Sequence, residues 1–448
     1  MWRALGGDGE FLDKIEYFGN RQLPSVFAVT DFAAAGFAVV GASITELIKL
    51  EFEQTPAIAI DSSMASLWYG WSLKPIGWSM PSAWDAIAGD YLACDGWIRL
   101  HTNAQRHRYA ATTVLQLADH CSKELVAHAV SQWHADELEA EVIRAGGCAA
   151  AMRSVQDWRL HPQGSRVSTE PLLDIKATSA LAPLNWVPNR NRPLQGLRVL
   201  DMTRVLAGPV ATRVLAGFGA EVLRIDPPDW DEPGVIPEVS LGKRCARLDL
   251  RDATEHRQLR DLLSRAHILI HGYRPGALDG LGLDSDTRRQ LSPGLIDVSL
   301  NAYGWTGPWC NRRGFDSLVQ MSSGIAHAGM REASQTQPVP LPVQALDHAT
   351  GYLMAAAAIR GVTQRLVNNH GSEVRTSLAR TAQLLIGGTA GNPEGSIKAA
   401  DDAAYADAIE PTAFGPAYRL RSALAIEATP MHWDRPATKL GSTTATWL

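Results

Sequence analysis

Cysteine is scarce. The five present in 448 residues (Cys94, Cys121, Cys148, Cys245 and Cys310) are odd in number, scattered and never spaced as CxxC. That pattern excludes a disulfide framework, carries no zinc signature, and points to a reducing, cytoplasmic setting with no metal. An excess of charge of one sign is also missing. A formal net charge of -5 and a pI near 6.2 argue against a nucleic-acid-binding protein, which would carry a basic stripe. Long apolar runs are absent too: Phe32 to Val40 is too short and too rich in alanine and glycine to span a bilayer. The opening "MWRALGGDGEFLDKIEYF" has no basic region leading into an apolar core, so no secretory signal and no membrane partner are expected. Finally, no GxGxxG or Walker-type loop follows the first strand of the second part described below, which disfavours a nicotinamide dehydrogenase or a P-loop enzyme.

What is present is enough apolar sequence, 46% hydrophobic against 20% charged, for a chain of two or three domains. After a leader over 1–22, a first half is expected over 23–184. "LPSVFAVTDFAAAGFAVVGASITELIKL" reads as an extended approach and a long small-residue helix, and "IAIDSSMASL" as a strand running into a second helix. Trp84 to His101 reads as two strands joined at Cys94-Asp95-Gly96, and Thr112 to Ala145 as helical, closing at Gly146-Gly147. Together these make a smaller α+β unit. The polar "NWVPNRNRP" is the expected linker over 185–193.

The second part, 194–400, alternates strands (Leu197 to Met202, Glu221 to Ile225, Arg247 to Leu250, His267 to His271, Leu295 to Leu300) with helical patterns. That alternation implies an α/β fold with a Rossmann-like, doubly wound parallel sheet. Ligands of such sheets bind outside the C-terminal strand ends, so Thr203 to Ala207, Gly272 to Gly276 and Asn301 to Gly307 are expected to line one crevice. Arginines collect there: Arg204, Arg251, Arg274, Arg312 and Arg313. Guanidinium groups match phosphate bidentately, so an anion-binding mouth is expected. The prolines at 338, 340 and 342 hold the chain extended before an alanine-rich helix that starts near Asp347, placing this carboxylate at a helix N-terminus. The same order of Asp, small residues and Ala-rich helix occurs around Asp31. Matching Gly36 to Gly351 and Ser63 to Ser377 needs one single-residue gap, and pairing Asp31 with Asp347 needs a second. The tail, 401–448, reads as an extended returning segment in which Trp433 is an anchor.

The segments "LRVLDMTRVLAGPVATRVLAGFGAEVLRID", "GKRCARLDL", "ILIHGYRPGALDGLGLD", "GLIDVSLNAYGWTGPW", "GFDSLVQMSSG" and "LPVQALDHATGYL" resemble, in this order, the N-terminal half of class III CoA-transferases of the formyl-CoA and carnitine type. The resemblance covers about Leu194 to Ala382, while 29 to about 165 resembles that family's other half. The chain order is therefore unusual, and fits a fusion of two partial copies, the first without its sheet and the second without its small domain. The resemblance implies a homodimer, an aspartate nucleophile at Asp347, and CoA held near Arg204, Leu206, Ala207, Leu248, Arg251, Gly272, Tyr273, Arg274, Arg312, Arg313, Gly314 and Phe315. Asp31 reads as a relic, because the sheet that would partner it is missing, and His348 as structural.

CoA transfer between an acyl-CoA and a carboxylic acid needs a nucleophile able to form both an anhydride and a thioester, which a carboxylate does and a serine does not. Two alternatives use the same architecture. Racemases that resemble this family carry a histidine just before the aspartate of the G-x-D motif, and here that position is Phe315, which cannot carry a proton. A CoA-binding protein that has lost turnover is the other.

Overall fold

The computed structural model describes residues 1–179, 183–388 and 395–448. Residues 180–182 and 389–394, inside the ranges expected for the first half and for the sheet-bearing part, lie outside the described residues. The first half begins with strand β1 (Ile15–Phe18), helix α1 (Val29–Phe52), strand β2 (Ile58–Asp61) and helix α2 (Ser62–Trp68). By length and composition α1 is apolar enough to cross a membrane, which the short run Phe32 to Val40 alone does not suggest; 78% of its most apolar window is buried inside the protein. It is a core helix, and its mostly apolar surface, rich in alanine and glycine over 33–42, reflects packing on several sides.

Strands β3 (Gly89–Leu92), β4 (Trp97–Leu100) and β5 (Ala149–Ala151) form an antiparallel sheet. Helices α3 (Gln105–Val114), α4 (Lys123–Val130) and α5 (Ala135–Arg144) cover it. Tyr91, Ile98, Leu100, Ala111, Val126, Leu138 and Val142 make a core separate from the main one.

The large sheet holds β6 (Asp174–Ser179), β7 (Arg198–Met202), β8 (Glu221–Asp226), β9 (Lys243–Arg247), β10 (Ile268–His271), β11 (Ile296–Asn301) and β12 (His370–Ser377). Its order is β9-β8-β7-β10-β11-β12-β6, parallel throughout except for β6. Strand β9 lies at 243–247 and not at the expected 247–250. Lys243 and Arg244 are buried in it, and Lys243 Nζ lies 2.9 Å from the buried Asp201 carboxylate, so two cations disguise an interior strand in a hydropathy reading. Helix α6 (Ala207–Gly217) follows β7. Helices α7 (Asp316–Ser322), α8 (Ala345–Asn368) and α9 (Leu378–Ile386) complete the part that bears the site.

The halves are not sequential blocks. Strand β6, from the first half, pairs antiparallel with β12 of the large sheet, and β13 (Leu424–Ile426), from the tail, pairs antiparallel with β2. Helix α1 lies against α8 within one hydrophobic core, and Phe37 and Tyr352 meet with ring centroids 4.4 Å apart. The units β1-α1-β2-α2 and β11-α8-β12-α9 also correspond in detail. Asp31 and Asp347 are each the third residue of a 24-residue helix. Glu53 and Asn369 end those helices with φ of 54° and 57°, and Asp61 and Ser377 cap the next helix. One constant offset makes all three pairings, so neither gap is needed. The expected Gly36–Gly351 pairing is wrong because the two glycines do different work: a Cβ on Gly36 would meet the Tyr69 hydroxyl, and one on Gly351 the Ala207 carbonyl.

Candidate active site

The parallel strands β7, β10 and β11 end at one edge of the sheet, where their backbone groups and loops face a cleft of about 370 Å³. Thr203 to Ala207, Gly272 to Arg274, Leu300 to Ala302, the Arg312 to Phe315 loop and Asp347 line it. The three expected segments thus each reach the cleft in part, but Pro275, Gly276 and Tyr303 to Gly307 are not among the residues that line it. Leu248 and Arg251 are not there either: Leu248 is buried in a core cluster beneath the sheet, and the Arg251 side chain is 76% exposed and paired with Asp249 at 2.8 Å. The reason is local, since Asp249 is close enough in sequence to neutralise Arg251 before it can reach anything else.

The loop after β7 is built by buried polar groups. Asp201 accepts hydrogen bonds from the Thr203 N–H at 3.0 Å, the Thr203 hydroxyl at 2.5 Å and the Thr212 hydroxyl at 2.5 Å, and ion-pairs with Lys243. Its charge is favoured by Lys243, Arg224 and those hydroxyls, which hold its pKa below the usual carboxylate range against the penalty of burial. Val205 then adopts φ of +65°, an unfavourable conformation for a β-branched residue. Its N–H donates to Glu232 Oε2 at 2.9 Å, and Glu232 is in turn held by Arg224 at 2.5 Å. Gly208 follows at a point where a Cβ would stand 2.3 Å from the Thr203 side chain.

Asp347 is not a helix cap. Helix α8 begins two residues earlier, after Gln344, which makes no side-chain cap. The capping carboxylate comes from another element: Asp316, on α7, accepts the N–H groups of Leu346 at 2.9 Å and Asp347 at 3.0 Å. Gln320 holds Asp316 at 2.5 Å and accepts the Leu341 N–H at 2.7 Å, pinning the extended approach to the helix. Burial pushes the Asp316 pKa up to about 6. Asp347 is 7% exposed, and burial together with the nearby Asp316 charge drives its pKa well above the ordinary carboxylate value.

The arginines divide. Arg312 is neutralised by Glu139 at 2.9 Å, donates to the Ala149 carbonyl and lies over the Trp309 ring at 3.9 Å, so it fastens the α+β unit to the large sheet. Arg204, Arg274 and Arg313 form no ion pair among the described residues. Arg204 lies over Trp230 and Tyr273, 5.0 and 5.5 Å from the ring centroids. Phe315 stacks on His101 at 3.8 Å, and burial drives the His101 pKa down to about 3.

Sequence reasoning missed Arg106, His107 and Trp230, all of which line the cleft. The only signal was the basic run "QRHRY", which by itself marks a solvated helix face. Asp31, by contrast, is exposed and outside the cleft, and His348 is 1% exposed, stacked on Tyr69 at 5.1 Å, and also outside it. At the β3–β4 turn, Cys94, Asp95 and His134 bring donor atoms within 4.8 Å of one another, all exposed. Asp95 accepts the Ala135 N–H there and so serves the start of α5.

Known proteins match this frame in part. An acyl-CoA transferase of Gibberella moniliformis is 30% identical over 54% of this chain and 45% of its own length. The succinyl-CoA:glutarate CoA-transferase of Mus musculus is 33% identical over 39% of this chain and 42% of its own. A crystal structure of a CaiB/BaiF family protein from Brucella suis is 25% identical, with a TM-score of 0.40, covering 50% of this chain and 65% of that one. The chain spans about half the length of the curated relatives it matches. The model of CoA-transferase family III matches residues 194–442, more than half of the sequence, and the chain belongs to that family.

Proposed function

We propose that the protein moves CoA from an acyl-CoA donor to a carboxylic acid acceptor, with Asp347 as the covalent carrier. The observation that carries this reading is a carboxylate at the wall of a cleft whose mouth gathers guanidinium groups, Arg204, Arg274 and Arg313, that form no ion pair among the described residues. The ionised Asp347 attacks the thioester carbonyl, forming a mixed anhydride and expelling CoA thiolate. The thiolate attacks the Asp347 carbonyl, which releases the donor carboxylate and leaves an aspartyl-CoA thioester. The acceptor carboxylate opens this thioester to a second anhydride, and the expelled thiolate takes the new acyl group, restoring Asp347. The field of α8, in whose first turn Asp347 lies, favours the negative charge that develops at each step, worth about 0.3–1 kcal/mol, while the Leu346 and Asp347 N–H groups remain engaged by Asp316.

Family membership and relatives named as CoA-transferases support this assignment over α-proton exchange. Phe315 carries no proton. His107 reaches the cleft, but burial lowers its pKa to about 4 and its Nε2 is engaged by the Arg106 Nε–H at 3.3 Å, which leaves it a poor base.

The two corresponding helix–strand–helix units and the reciprocal placement of β6 and β13 support reading the chain as two partial copies joined in one polypeptide. Homodimer formation, which the resemblance implies, is not required to bring both walls of this cleft together. A panel of acyl-CoA donors against free carboxylic acids, read by mass, tests the function: a new acyl-CoA formed with stoichiometric loss of donor is expected. Loss of donor to hydrolysis alone, or deuterium entering the α-carbon in heavy water without transfer, would count against it.

A further inference from the structure

Four cations face the cleft without an acidic partner among the described residues, and one of them comes from outside the large sheet. Arg204, Arg274 and Arg313 belong to loops around the strand ends, whereas Arg106 lies in the first turn of α3, in the α+β unit. The Arg106 guanidinium is 5.9 Å from the Trp230 ring, which Arg204 approaches at 5.0 Å. Its pKa is lowered by burial and then by repulsion from Arg313, Arg204 and Arg274, so all four share one field. Its Nε–H is directed onto His107 Nε2 at 3.3 Å. His107 is 1% exposed and kept neutral by burial, so it accepts that hydrogen bond and fixes the plane of the guanidinium. Assembling like charges without a counterion is unfavourable unless an anion arrives to offset it, and a planar guanidinium satisfies phosphate oxygens two at a time.

We infer that Arg106 is a phosphate-binding residue for CoA, supplied by the α+β unit to a site whose other arginines come from the large sheet. This rests on the CoA reading above. Arg106 acts as the opposing jaw of the cleft: the α+β unit that carries its helix is joined to the large-sheet part through Arg312, which pairs with Glu139 on α5 and bonds the Ala149 carbonyl on β5. The phosphate it meets is either the diphosphate or the 3′-phosphate of the nucleotide, and the two are separable.

Titration calorimetry of the full chain with CoA and with 3′-dephospho-CoA, for wild type, Arg106→Gln and Arg106→Lys, tests the assignment. Arg106→Gln is expected to weaken CoA about tenfold, a change of about 1.4 kcal/mol, with Arg106→Lys intermediate. Because Arg106 is exposed enough to leave the core untouched, the melting temperature is expected to hold. An equal loss on both ligands assigns the contact to the diphosphate, and a loss on CoA alone assigns it to the 3′-phosphate. Wild-type binding with Arg106→Gln within twofold on both ligands overturns this inference and leaves the CoA reading standing. Absence of CoA binding by the wild type overturns both.

Discussion

At the scale of single residues the account turns on two buried carboxyls and one strained valine. Asp316 has a folded pKa near 6, above its unfolded value of 3.8. The stability it contributes is therefore complete below about pH 3.8 and is lost as pH rises through 6, because the folded state binds the extra proton in that window. Asp316→Asn keeps an acceptor for the α8 N–H groups and removes the like charge beside Asp347. Urea unfolding at pH 4.5 and 7 should show the decline with rising pH in the wild type and a flatter profile in the variant. In the pH dependence of turnover the acidic limb should move to lower pH, since Asp347 becomes easier to ionise; an unmoved limb would mean that the two groups are not coupled. Asp31→Ala, outside the cleft, should leave turnover unchanged.

Val205→Gly removes roughly 1–3 kcal/mol of backbone strain, against about 1 kcal/mol of added chain entropy in the unfolded state. The melting temperature should hold or rise while the KM for acyl-CoA increases; a fall in KM would show that the strained loop does not serve binding. Asp347 was legible in the sequence because prolines and an alanine-rich run frame it. Its cap was not, because Asp316 is distant in sequence and meets α8 only through tertiary packing.

At the scale of elements, α8 is held on one side by α1 and on another by α6. Gly351 makes the second contact possible: a Cβ there would stand 2.5 Å from the Ala207 carbonyl oxygen and 2.8 Å from the Val210 Cβ. Backbone cannot yield as a side chain does, so Gly351→Ala should cost about 3 kcal/mol, read as a lowered urea midpoint. It should also impair acyl-CoA binding, because Ala207 lines the cleft; an unchanged midpoint would mean that α6 moves freely. The parallel strands could be read where an apolar run marks them, as in β10, and β7 remained legible although the buried Asp201 interrupts its run. Strand β9 was displaced in the reading because Lys243 and Arg244 are buried in it. The contribution of α3 to the cleft was invisible for the opposite reason: Arg106 and His107 sit in a polar helix start that resembles any solvated surface.

For the whole molecule, the order of the segments was legible, but the crossing of strands between halves was not, since short strands such as β13 carry little pattern and pairing partners are set by tertiary contacts. The crossing has a mechanical consequence. Cutting the chain at a protease site inserted between Asn189 and Arg190 should leave two fragments that elute together, because β6 remains paired in the large sheet and β13 beside β2. Separation without denaturant would contradict the interleaved arrangement.

The central claim is that Asp347 carries the reacting group, and mass spectrometry of the protein after incubation with an acyl-CoA and hydroxylamine tests it most directly. A hydroxamate confined to the peptide containing Asp347, and absent from Asp347→Asn, is the predicted result. An unmodified Asp347 under saturating donor while acyl groups are still exchanged would contradict it.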